Sequence, residues 1–90
     1  MSDVKKSIIS QLDKSGWIKD RFGNYRKDMV LGGKLKSLRC KFRDRSFRLE
    51  VKIIVDDTPE WVRYGGDFYS KCEVLGDGRV RVGSLLIGNL

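Results

Sequence analysis

Glu50-Val51-Lys52 has the Glu-x-Lys form that many metal-dependent nucleases carry on a strand. There the carboxylate binds Mg²⁺ and the lysine assists the attacking water. Such a site needs another carboxylate upstream, and Asp28 or Asp44 would have to supply it. The same residues suit a plainer role, with Glu50 paired to Arg39 on a neighbouring strand. Asp56-Asp57 and Asp77 stand in turn sequence, where Asp hydrogen-bonds nearby backbone. Two cysteines, Cys40 and Cys72, are too few to close a four-ligand zinc site. The chain has no histidine, which removes Ser-His-Asp and Cys-His catalysis. Gly32-Gly33 and Gly65-Gly66 open no helix and read as turns, not phosphate loops. The expectation is a protein without catalytic residues, metal or cofactor, with a small histidine-free nuclease as the one catalytic alternative.

Positive charge is the stronger signal. The 90 residues carry 19 Lys+Arg against 12 Asp+Glu, a formal net charge of +7. Residues 34–52 hold eight basic residues and two acidic ones, so +6 of the +7 lies in this stretch. A basic surplus confined to one surface is the footprint of a polyanion partner. Arg39, Lys41, Arg43, Arg45, Arg48 and Lys52 are the candidate phosphate contacts, and Arg in particular makes planar, multi-donor contacts to phosphate. Trp61 and Tyr64 are candidate stacking residues, because bases of single strands stack on rings. No recognition helix, zinc finger or aromatic sheet motif is present, so RNA or single-stranded DNA is expected over sequence-specific reading of duplex DNA. Lysines that merely protect an edge strand would leave a similar trace. The rival function is a protein-interaction module, a phage or host regulatory factor whose basic face docks an acidic partner. Its sign would be an exposed apolar or aromatic patch beside the charge. An unpaired edge strand could also make a homodimer.

These side chains need a scaffold. Residues 3–14 read as a short amphipathic helix, with Val4, Ile8 and Leu12 in one stripe, Ile9 beside it, Ser2 or Asp3 as N-cap and Ser15-Gly16 as the stop. From Trp17 the period changes to two. Extended segments are expected at 17–19, 25–30, 35–43, 46–55, 61–64, 68–75 and 79–87. The intervening breaks are Asp20 to Asn24, Gly32-Gly33, Asp56 to Pro59, Gly65 to Asp67 and Gly76-Asp77-Gly78. A loop at Asp44-Arg45 sets Phe42 against Phe47, Lys41 against Arg48, Cys40 against Leu49, Arg39 against Glu50 and Leu38 against Val51. This register puts all the apolar residues on one face, and a one-residue slip would mix the faces. A three-residue loop at Gly76 to Gly78 sets Val74 against Val80, Glu73 against Arg81 and Cys72 against Val82, with both cysteines pointing inward. In the segment 61–64, Trp61 shares a face with Arg63, and Val62 with Tyr64.

The fold class is therefore α+β: one domain over 1–90, with the helix packed on an antiparallel meander of five or six strands, as a sheet or a partly closed barrel. Ile8 to Trp17, a helix ending in Ser-Gly-Trp before a strand, is similar over about ten residues to the start of HicA-type toxins. That resemblance implies a small RNase, but Gly23-Asn24-Tyr25 stands where the family's catalytic histidine would be. No signal peptide and no membrane span are read from the sequence. The expected setting is cytoplasmic or nuclear, not secreted, with free thiols.

Overall fold

The computed structural model describes residues 3–88. The expected cap Ser2 lies outside them. Helix α1 spans Asp3–Lys14, with Asp3 in its first turn and Lys14 in its last, both matched to the helix dipole. Gly16 ends it in the left-handed region, φ 84°, which a residue without Cβ adopts freely.

Five strands follow in meander order. They are β1 (Ile18–Lys19), β2 (Tyr25–Leu31), β3 (Lys34–Phe42), β4 (Phe47–Val55) and β5 (Thr58–Gly65). Each pairs antiparallel with its neighbours in sequence. A second sheet of three short strands joins β6 (Glu73–Val74), β7 (Val80–Val82) and β8 (Leu85–Ile87). The architecture is α+β as expected, and the long sheet stays open instead of closing into a barrel.

The central register is the one the alternation predicts: Leu38↔Val51, Arg39↔Glu50, Cys40↔Leu49, Lys41↔Arg48 and Phe42↔Phe47. Val74↔Val80 and Glu73↔Arg81 pair as expected too.

Three segments differ from the sequence reading. Asp56-Asp57 is a tight two-residue turn with φ of 49° and 62°, and β5 begins at Thr58 with Pro59 inside it. Proline fits because β5 is the edge of the sheet, where a missing N–H costs no ladder bond. Phe68 to Leu75 is not one strand. A 3₁₀ turn occupies Tyr69–Lys71 and leaves only Glu73–Val74 extended, so Cys72 precedes the ladder and does not face Val82. The stretch 79–87 folds back at Gly83-Ser84 into β7 and β8.

The core lies on one face of the long sheet. Ile8 and Leu12 of α1, Trp17, and Tyr25, Leu38, Cys40, Phe47 and Leu49 of the sheet are buried with Tyr69, Val80, Val82 and Ile87. Helix α1 contacts all three strands of the small sheet. Truncating fully buried Leu49 to Ala would cost about 2–5 kcal/mol.

The 43–46 turn is tied to the residues that follow β5. The Tyr69 N–H donates to the Arg45 carbonyl at 2.9 Å, its hydroxyl donates to the Arg43 carbonyl at 2.9 Å, and the Phe47 N–H donates to the Asp67 carbonyl at 3.2 Å. Gly66 makes this approach feasible. A Cβ there would stand 2.4 Å from the Phe47 carbonyl oxygen.

Candidate nucleic-acid interface

Strand alternation decides what occupies the opposite, outer face. Leu38, Cys40, Leu49 and Val51 turn inward, so Arg39, Lys41, Arg48, Glu50 and Lys52 turn outward. The β2–β3 register sets Arg26 opposite Arg39. The β4–β5 register sets Arg63 opposite Glu50 and Trp61 opposite Lys52. One row thus runs Arg26, Arg39, Glu50, Arg63 across four strands.

Trp61 lies half-buried on this face. Its ring centroid is 4.3 Å from the Arg39 guanidinium carbon, 5.4 Å from that of Arg26 and 6.0 Å from the Lys52 ammonium. A ring on β5 therefore meets cations from β2, β3 and β4. The electron-rich face of indole attracts each of them. The result is an indole overlain by three cationic side chains from three different strands.

Glu50 anchors the row. Its carboxylate is buried, accepts from Arg39 at 2.6 Å and forms an ion pair with Arg48 at 3.2 Å. This is the structural role the sequence offered for Glu50, and the carboxylate of the Glu-x-Lys run is thereby engaged by two arginines. Asp28, one of its proposed metal-binding companions, accepts from the Ser37 hydroxyl at 2.7 Å. Among the described residues, no three Asp, Glu or Cys side chains come together as a metal-binding group. Asp77 serves its turn, as expected. The Arg79 backbone N–H and guanidinium hold its carboxyl below the usual range.

The other expected residues divide. Lys41 faces Arg48 directly, a like-charge pair whose mutual repulsion Glu50 offsets from one side only. Arg43 and Arg45 are exposed at the turn beyond this pair. Arg63 shares the face with Trp61, and its guanidinium donates to the Gly66 carbonyl at 2.6 Å. Tyr64 is the extra residue of a bulge in the β4–β5 register, exposed and outside the Trp61 cluster. Trp17, by contrast, is core.

Sequence reasoning missed Arg26. The signal was present: Gly32-Gly33 taken as a two-residue turn already places Arg26 beside Arg39.

Neither thiol offers an alternative chemistry. Cys40 and Cys72 are free, and burial pushes both thiols up, away from the reactive thiolate.

Beyond Trp61 the same face turns apolar. Val30 stands opposite Leu35, and Ile54 opposite Pro59. Val30, Leu35 and Ile54 are 64%, 72% and 65% exposed. No helix among the described residues is long and apolar enough to cross a membrane. No family model, curated protein or solved structure matches the chain.

Proposed function

We propose that the outer face of the five-stranded sheet binds single-stranded nucleic acid, RNA or single-stranded DNA, without catalysis. The observation that carries this reading is Trp61, half-buried on the outer sheet face among Arg39, Arg26 and Lys52. A base stacks on the indole while the surrounding cations hold its phosphates. Lys41, Arg48, Arg43 and Arg45 extend the positive track towards the 43–46 turn. A shallow sheet face also suits splayed bases better than a duplex groove, which helices and ribbons enter.

The test is titration of the protein with short single-stranded RNA, single-stranded DNA and duplex DNA across a salt series. Single strands should bind with an affinity that falls steeply with salt. Trp61→Ala should weaken binding by about 1–3 kcal/mol, the worth of one stacked base. Lys41→Glu with Arg43→Glu, which leaves the Arg48–Glu50 pair in place, should abolish binding while leaving the fold intact. Absence of binding at low salt, or a Trp61→Ala variant that binds like the parent, overturns the proposal.

The apolar end formed by Val30, Leu35, Ile54 and Pro59 favours a second reading, in which that end of the face contacts protein.

A further inference from the structure

The sheet forks. Pairing between β3 and β4 runs from Phe42↔Phe47 to Leu38↔Val51 and stops there. Their outer partners continue: β2–β3 to Leu31↔Lys34, and β4–β5 to Val55↔Thr58. Two hairpin arms therefore leave the body of the sheet side by side. Among the described residues, no strand pairs with the facing edges at 34–37 and 52–55. The Arg43 N–H donates to the Ser46 carbonyl, so by antiparallel alternation Leu35 and Ile54 aim backbone groups across the gap. Both carry exposed apolar side chains. Unpaired edges with exposed apolar residues are the usual template for strand association.

The arms carry opposite charge. Asp28 and Lys52 stand at the roots of the arms, but towards the tips the β2–β3 arm carries Lys34 and Lys36, and the β4–β5 arm Asp56, Asp57 and Glu60. No ion pair joins them among the described residues. The register places Lys34, Lys36 and Glu60 on one face of the sheet and Leu35 and Ile54 on the other.

We propose that the fork is a homodimer interface. One partner must satisfy a basic arm and an acidic arm set side by side at this spacing. A second copy of the chain, related by a two-fold axis, presents the complementary pair at that same spacing. Each basic arm meets its partner's acidic arm, and the contact repeats by symmetry. Leu35 and Ile54 of both copies are covered along the same seam, on the opposite face from the charged contacts. A nucleic acid would be repelled by Asp56, Asp57 and Glu60, and a wholly acidic protein would meet them too. The inference rests on the fork and not on the basic face around Trp61.

The experiment is sedimentation equilibrium over a wide concentration range at low salt, with circular dichroism to verify folding. The parent should move from the mass of one chain to that of two. Lys34→Glu with Lys36→Glu makes both arms acidic and should stay monomeric. Glu60→Lys with Asp57→Asn removes the acidic arm and should stay monomeric as well. An equimolar mixture of the two variants should restore the two-chain mass. A parent that is monomeric throughout overturns the proposal. So does a dimer that both variants retain, because its interface then lies elsewhere. Protection of the 34–37 and 52–55 amides by RNA in a monomer would assign the fork to nucleic acid instead.

Discussion

Glu50→Gln should weaken the fold and strengthen nucleic-acid binding at once. Glu50 is 6% exposed and holds two guanidinium groups, at 2.6 and 3.2 Å. Gln keeps one acceptor oxygen but removes the charge from a site of reduced dielectric. Breaking a fully buried ion pair costs about 3–5 kcal/mol. The side chain of Arg48 is 51% exposed, so water recovers part of its loss. A net cost of about 2 kcal/mol follows, close to the worth of one or two charge-assisted hydrogen bonds. For a domain of this size that lowers Tm by about 8–16 °C. Binding should move the other way. The outer face carries Arg26, Arg39, Lys41, Arg48, Lys52 and Arg63 against Asp28 and Glu50, a net +4 that becomes +5. Arg39 and Arg48 are also released from their internal acceptor. Affinity for a short single strand should rise several-fold, and the salt dependence should steepen by about one unit as one more phosphate is engaged. Thermal melting and a salt-series titration at a temperature where both proteins are folded measure the two effects. A folded Glu50→Gln variant that binds more weakly would refute this reasoning, since Glu50 would then be aiming the arginines rather than neutralising them. A Tm shift of less than about 2 °C would refute the stability estimate.

Other outcomes test the scaffold. Gly66→Ala should destabilise the protein by about 3 kcal/mol or more, because its Cβ would meet the Phe47 carbonyl and Arg48 Cα at a φ of 118°; urea denaturation reads this. Replacing Asp56-Asp57 by Asn-Gly should stabilise it by about 0.5–1 kcal/mol, since both positions are left-handed and that pair suits them best. Tyr69 is pushed up to about 12, chiefly by burial, from an ordinary value of 10. Its contribution to stability is therefore complete below pH 10 and is lost as pH rises from 10 to 12. Tyr69→Phe should flatten that alkaline loss, as followed by denaturation at successive pH values.

Much of this was legible in the residues. The register of the central hairpin is written in its sequence, because six apolar side chains take one face in only one alignment. Glu50 opposite Arg39, and Lys41 opposite Arg48, followed from the same alignment. The orientation of Trp61 did not. The segment 61–64 alternates Trp and Arg against Val and Tyr, and either set could face out until Val62 was seen to pair with Val51. Asp56 to Pro59 reads as a break because Pro and paired Asp usually interrupt strands. Here the strand is an edge, and Asp tolerates the left-handed turn. Phe68 to Leu75 has the composition of a strand, yet the reach of Tyr69 to the Arg43 carbonyl draws it into a 3₁₀ turn. That constraint comes from a residue 26 positions away, where local periodicity carries no information. The fork was hidden for a similar reason. Sequence alternation continues through residues 34–37 and 52–55 with no mark of where pairing ends.

The packing of α1 against β6, β7 and β8 sets a timetable for synthesis. Ile8 and Leu12 leave the ribosome long before Val80, Val82 and Ile87, the residues that bury them. The long sheet can pair as it emerges, because each of its strands meets the next in sequence. Helix α1 can lie on the sheet's inner face from the start, but the core there closes only when Val80, Val82 and Ile87 are made. During that interval the nascent chain has an incomplete core on one side and a finished basic face on the other. The proposed binding surface is thus assembled before the core that stabilises it is complete. A nucleic acid already held there would lend the unfinished sheet its first stabilising partner.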